Sequence, residues 1–79
     1  MSNMDKYMDV FCNCFGVQKE VLNDQFVYQS VPAWDSVGHM GMIAALEESF
    51  DIMMETDDIV DFSSFQKGIE ILGKYGIAL

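Results

Sequence analysis

The sequence predicts an all-α fold, a small four-helix bundle with a long first loop and a short third helix. In three segments, apolar residues recur at the three- and four-residue spacing of an amphipathic helix. The length of 79 residues is enough for one hydrophobic core and leaves no room for a second, so residues 1–79 form a single domain. A hydrophobic fraction of 51% predicts that this domain folds rather than staying disordered.

The first helix is predicted near the N-terminus and ends at Gly16. Its apolar positions keep helical spacing: Met4, Tyr7, Met8, Phe11, Cys14 and Phe15. From Gly16 to Trp34 no period is kept, and Pro32 excludes a helix interior. We expect this long connection to pack across the bundle through its apolar residues: Val21, Leu22, Phe26, Val27 and Tyr28.

The second helix is predicted to begin at Asp35 or Ser36, both favourable N-cap types, and to run to about Phe50. Its core face is expected to carry His39, Met42, Ile43, Leu46 and Phe50. Gly38 and Gly41 inside this helix cost roughly 1 kcal/mol each relative to Ala. They either admit the close approach of a partner or ligand, or are tolerated because tertiary packing holds the helix.

Two shorter helices follow. Thr56 is predicted to cap the third, with Asp57 and Asp58 favourably placed near its N-terminus. Ser63 with Gln66 fits a capping box that opens the fourth. The inward face of the fourth helix is predicted to be Phe65, Gly68, Ile69 and Leu72.

Charge restricts the choice of partner. Thirteen acidic residues against four lysines and no arginine give a formal net charge of −9. Such a surface repels nucleic acids and anionic lipid headgroups and attracts proteins with basic patches. No segment approaches the roughly 20 apolar residues that span a bilayer, so no membrane insertion is expected. Residues 1–9 lack the basic and hydrophobic regions of a secretion signal, which predicts a cytoplasmic protein.

The residues with catalytic or metal-binding chemistry do not form a familiar set. Cys12 and Cys14 are predicted to be reduced thiols, Cys14 facing the core, and His39 is the only histidine. Neither a nucleophile–base pair nor a phosphate-binding glycine loop is recognisable, so we expect no enzyme. The acids between Asp51 and Asp61 lack the pattern of an EF-hand, so no specific metal site is expected.

The second helix has a second apolar face. Val37, Met40 and Ala44 lie on it, with Glu47 and Glu48 along its borders. An apolar strip bordered by acids is what a docking surface for a basic partner requires. Isolated exposed apolar residues are, however, also ordinary on protein surfaces.

The segments Trp34-Asp35-Ser36-Val37-Gly38-His39-Met40 and Ala45-Leu46-Glu47-Glu48-Ser49-Phe50-Asp51 resemble the acyl carrier protein family. That family carries Asp-Ser-Leu at the start of its second helix and Ala-Leu-Glu-Glu-x-Phe near its end. The spacing from Ser36 to Leu46 and to Phe50 matches without a gap, and the likeness covers roughly residues 34–72.

The resemblance implies that residues 1–79 are a free-standing, monomeric acyl carrier domain. Ser36 would receive 4′-phosphopantetheine from coenzyme A through a separate, magnesium-dependent phosphopantetheinyl transferase, and Asp35 would help to seat that transferase. Acyl-loading and acyl-transferring enzymes with basic docking patches would be the other partners. The simpler interpretation of Ser36 is an N-cap, which is compatible with attachment.

Departures from the family pattern bear on the pathway. Val37 replaces the usual Leu, and Gly38 and Gly41 stand where carriers of central fatty acid biosynthesis commonly place acids. The resemblance therefore implies a dedicated lipid, polyketide or polysaccharide-modification pathway. The alternative is an acidic helical interaction module without a prosthetic group.

Overall fold

Four α-helices and one turn of 3₁₀ helix follow one another in the computed structural model of the chain, which describes residues 2–79. Their bounds are Asn3–Phe15 for α1, Ser36–Phe50 for α2, Thr56–Asp61 for α3 and Phe65–Gly73 for α4, with the 3₁₀ turn at Lys19–Val21. The radius of gyration, 11.2 Å, is close to the roughly 12 Å expected of a compact domain of this length. The prediction of a small, mostly helical protein with four helices is confirmed.

Helix α1 begins and ends where its sequence provides caps. The hydroxyl oxygen of Ser2 accepts a hydrogen bond from the Asp5 N–H at 3.1 Å. Gly16 adopts the left-handed conformation at φ +64°, and its N–H bonds the Cys12 carbonyl, which ends the helix as predicted. Cys12 and Cys14 are free and half-buried against the core, and burial raises the pKa of both thiols.

The core is built around a cluster of aromatic rings. Phe11 is fully buried at its centre, with ring centroids 4.9 to 6.2 Å from those of its aromatic neighbours. These neighbours are Tyr7, Phe15, Phe26, Trp34, Phe62 and Phe65. The cluster therefore joins α1 and α4 to the first connection and to Phe62, the residue that follows α3.

The first connection is only partly packed as predicted. Leu22 and Phe26 are buried, and Tyr28 is half-buried. Val21 and Val27 lie at the surface, with 44% and 41% of their area exposed, so their predicted packing is wrong.

Backbone hydrogen bonds tie this connection to the segment before α4. The Tyr28 N–H donates to the Ser63 carbonyl at 2.8 Å, and the Phe65 N–H donates to the Phe26 carbonyl at 2.8 Å. Phe65 is the first residue of α4, so its N–H has no partner within the helix and is satisfied by the connection instead.

Two predicted helix starts are wrong by one residue. The cap of α3 is Glu55, which makes no side-chain capping bond, and Thr56 is already helical. The cap of α4 is Ser64, whose hydroxyl accepts from the Lys67 N–H at 2.9 Å, rather than Ser63. The Ser63 carbonyl accepts from the Tyr28 N–H, whereas the Ser64 carbonyl accepts from the Gly68 N–H, so the helical hydrogen bonds begin at Ser64.

Helix α4 packs closely on α1 through a glycine. A side chain at Gly68 would overlap the Tyr7 hydroxyl and the Phe62 ring. The Tyr7 hydroxyl donates to the Phe65 carbonyl at 2.7 Å, and burial raises the pKa of Tyr7, which keeps it a donor. The buried face of α4 is Phe65, Gly68, Ile71 and Leu72, whereas the predicted Ile69 is only half-buried.

None of the helices within residues 2–79 has the length and apolar character needed to cross a membrane.

Candidate functional site

The start of α2 presents Ser36 to solvent. Asp35 is the N-cap, and its carboxylate accepts a hydrogen bond from the Gly38 N–H at 2.8 Å. The interpretation of Ser36 as the N-cap is therefore wrong, because the preceding carboxylate already occupies that position. Ser36 is the first helical residue, it is exposed, and its hydroxyl has no hydrogen-bond partner within residues 2–79.

Gly38 is required by the local backbone. A side chain at this position would overlap the carbonyl oxygen of Ala33, whereas one at Gly41 would meet open space. Of the two explanations left open for these glycines, close approach applies at Gly38, and the group that approaches is the chain's own backbone. It folds the segment before α2 tightly over the first turn of the helix, beside Ser36.

His39 links three parts of the molecule behind Ser36. The Trp34 indole N–H donates to His39 Nδ1 at 3.0 Å, and His39 Nε2 lies 2.8 Å from the carbonyl oxygen of Ile59. Because Nδ1 is an acceptor, the proton of the neutral ring is on Nε2, which donates to Ile59. The two rings are also stacked, with their planes 12° apart. His39 therefore positions the first connection and α3 relative to α2.

An open apolar groove of about 350 Å³ lies beside Ser36. Its walls come from the first connection, α2, α3 and the segment before α4: Tyr28, Ser36, His39, Met40, Ile59, Val60, Phe62 and Ser63. The volume is within the range of small-molecule sites, roughly 300–1,000 Å³. Ser36 is thus both an exposed hydroxyl and part of the wall of an apolar groove.

The predicted docking face is largely at the surface. Val37 is 80% exposed and Met40 is 53% exposed, and Ala44 and Glu48 are also exposed. Glu47 is different, since its carboxylate accepts from the Met54 N–H at 2.9 Å and so holds the segment between α2 and α3. The acid available to a partner on this border is therefore Glu48.

The predicted core face of α2 is buried only in its middle. Met42, Ile43 and Leu46 are buried, whereas His39 and Phe50 are half-buried. The Phe50 ring lies at the edge of the core, with the Lys6 ammonium 5.9 Å from its centroid. Phe50 packs against the core as predicted, but only from its edge, so the core face of α2 is less buried at its end than in its middle.

Several residues of the site carried no recognisable signal in the sequence. Tyr28 lines the groove together with Val60 and Ser63, although it is distant from both in the chain. Their positions depend on the backbone pairing of residues 26–28 with residues 63–65.

Searches against protein-family models and against curated proteins found no match for this chain.

Proposed function

We propose that this protein is an acyl carrier protein, a small four-helix bundle whose Ser36 bears 4′-phosphopantetheine. The observation that carries the proposal is the position of Ser36: an exposed, unbonded hydroxyl at the N-terminus of α2, on the wall of an apolar groove. The sequence around it supports the same conclusion through its resemblance to the acyl carrier family.

The surroundings of Ser36 fit a phosphodiester. Asp35 provides the cap, so modification of Ser36 removes no bond that the helix needs. The N-terminus of a helix carries partial positive charge and tolerates a nearby anion. In the attachment step, the Ser36 oxygen bonds to the phosphorus next to pantetheine, adenosine 3′,5′-bisphosphate leaves, and the hydroxyl proton is released. The arm supplies a terminal thiol that carries acyl groups as thioesters.

The groove supports an apolar cargo. Its lining is dominated by Met40, Ile59, Val60 and Phe62, and both His39 ring nitrogens already have hydrogen-bond partners. A charged aminoacyl group would lose hydration there that the few hydroxyls of the lining replace only in part, whereas an alkyl chain gives up no hydrogen bond to water. We therefore propose a fatty or polyketide-type acyl group rather than an aminoacyl group.

The test is modification by a broad-specificity phosphopantetheinyl transferase with coenzyme A and magnesium, followed by intact mass. The wild-type protein should gain one phosphopantetheine, and Ser36→Ala should gain none. Ser49→Ala is the matched control, since it removes an exposed hydroxyl of the same helix and should be modified like the wild type.

Two outcomes would refute the proposal. One is wild-type protein that stays unmodified under conditions that modify a known carrier, and the other is modification that persists in Ser36→Ala. In the first case, the acidic interaction module would be the better account, supported by the exposed Val37 and Met40 and by the net charge of −9. Because Asp35 caps α2, Ser36→Ala should melt like the wild type, so a loss of modification reports on chemistry and not on folding.

A further inference from the structure

The carboxylate of Asp58 joins α3 to the end of α4. It is the one buried charged residue within residues 2–79, with 8% of its area exposed. The Lys74 ammonium donates to Asp58 Oδ1 at 2.5 Å, and the Tyr75 hydroxyl donates to Asp58 Oδ2 at 2.5 Å. The Tyr75 oxygen in turn accepts from the Glu55 N–H at 2.9 Å, at the cap of α3. We call Asp58, Lys74 and Tyr75 the clasp.

Within α3 itself, few other side chains are buried, although Met54 before it and Phe62 after it belong to the core. Of its six residues, Ile59 is half-buried, Val60 is 74% exposed, and Thr56, Asp57 and Asp61 are exposed. The hydrogen bond from His39 to the Ile59 carbonyl is its polar link to α2. A helix of six residues has no stability of its own in water, so its position depends on these contacts.

Helix α3 is also a wall of the groove beside Ser36. Ile59 and Val60 line the groove, and the clasp involves the neighbouring residue Asp58. We propose that the clasp fixes α3 to the end of α4, that this anchoring keeps the groove narrow, and that breaking the clasp lets α3 move and opens the groove. In the proposed carrier function, on which this role rests, the clasp would set how much room the groove offers to cargo, whereas the movement of α3 itself does not depend on Ser36.

The charges around the clasp give it a wide pH range. Hydrogen bonds from Lys74 and then Tyr75 lower the pKa of Asp58, assisted by the charge of Lys67. The hydrogen bond to Asp58 raises the pKa of Lys74, and the negative charge of Asp61 acts in the same direction. The hydrogen bond to Asp58 also raises the pKa of Tyr75. The charge of Glu55 adds to that rise, whereas the hydrogen bond from the Glu55 N–H opposes it.

Each of these pKa shifts makes the stability of the fold depend on pH. A lowered carboxyl pKa stabilises the fold above the unfolded value of 3.8, and this contribution is lost as the pH falls through the folded pKa. Raised pKa values for Lys74 and Tyr75 stabilise the fold below 10.5 and 10.0 and are lost at higher pH. The clasp is therefore complete near neutral pH, and substitution is the way to open it.

The experiment compares Asp58→Asn with Asp57→Asn, which removes the same charge from an exposed position of the same helix. Amide hydrogen exchange of unmodified protein should be at least about tenfold faster in residues 59–62 of Asp58→Asn, with α1 and α4 unchanged. Binding of the apolar dye 1-anilinonaphthalene-8-sulfonate should also increase. Asp57→Asn should behave like the wild type in both measurements.

Tyr75→Phe is the second variant, in case Asp58→Asn does not fold. It keeps the ring but removes the donor to Asp58 and the acceptor of the Glu55 N–H, so it should also speed exchange in α3. Unchanged exchange in residues 59–62 of both variants, or equal acceleration in all helices, would overturn the proposal. Neither variant needs phosphopantetheine for these measurements. The proposal about the clasp can therefore fail while Ser36 is modified, and the carrier proposal can fail while the clasp behaves as expected.

Discussion

The two glycines of α2 should respond in opposite directions to the same substitution. Gly38 and Gly41 are three residues apart in one helix, and Ala is the better helix former at both. A methyl group at Gly41 meets open space, whereas at Gly38 it overlaps the carbonyl oxygen of Ala33. A backbone atom cannot rotate aside as the end of a side chain can, so the first turn of α2 would have to shift.

The surroundings of each glycine set the size of the change in stability. Gly41→Ala should raise the free energy of unfolding by about 0.8–1 kcal/mol through helix propensity alone. Gly38→Ala makes the same gain but adds an overlap with a typical penalty of about 1–3 kcal/mol, and more where the backbone must move. We expect a net loss of about 1–2 kcal/mol. A domain of this length has roughly 4–12 kcal/mol of stability, so both variants should remain folded.

Thermal and urea denaturation followed by circular dichroism measures both changes. About 1 kcal/mol corresponds to roughly 4–8 °C in a domain of this size. Gly41→Ala should therefore melt higher than the wild type by about that much, and Gly38→Ala should melt lower by about one to two times as much. If Gly38→Ala were as stabilising as Gly41→Ala, the close packing of Ala33 over the start of α2 would be wrong. The tight turn that leads into Ser36 would then need a different account.

Further substitutions test the burial of α2 and the docking face. Leu46→Ala should lower the free energy of unfolding by about 2–5 kcal/mol in urea denaturation because Leu46 is fully buried. Phe50→Ala should lower it by less because Phe50 is half-buried. The reverse order would mean that the end of α2 is misplaced. Glu48→Lys should slow transferase modification more than Glu70→Lys, which makes the same charge change on α4, and the difference should shrink as salt rises. Equal rates for the two variants would contradict a docking surface on α2.

The helices could be predicted because each carries its own local signal. The apolar spacing of α1 and the glycine after it depend on nearby residues only, and both are found as predicted. The predicted cap of α4 is wrong by one residue because the Ser63 carbonyl accepts a hydrogen bond from Tyr28, a contact that no local pattern reveals. The cap of α3 is Glu55, which makes no side-chain capping bond that the sequence could indicate. Similarly, Asp35 and Ser36 are both good cap types, and only the backbone path decides between them.

The sequence indicates Ser36 as the candidate site residue, but it does not reveal the side chains that surround it. Ser36 was identified through its sequence context, whereas the groove beside it needs Tyr28 and Val60, which meet only in the folded chain. The clasp was also missed, since Asp58 and Lys74 are sixteen residues apart and fit no helical ion-pair spacing. The sequence shows a glycine at position 38, but the reason for it, the nearby Ala33 carbonyl, depends on a turn that the sequence does not specify.

The backbone pairing between the first connection and the segment before α4 has a consequence for the order of folding. The bridge joins Val27 to Ser64, so it can form only when the whole segment between them, which includes α2 and α3, has folded back to the first connection. Closing so long a loop is slow relative to the growth of a single helix. We expect α1 and α2 to be helical early, while Tyr28 takes its place only when α4 docks. The groove would then be the last part of the molecule to assemble.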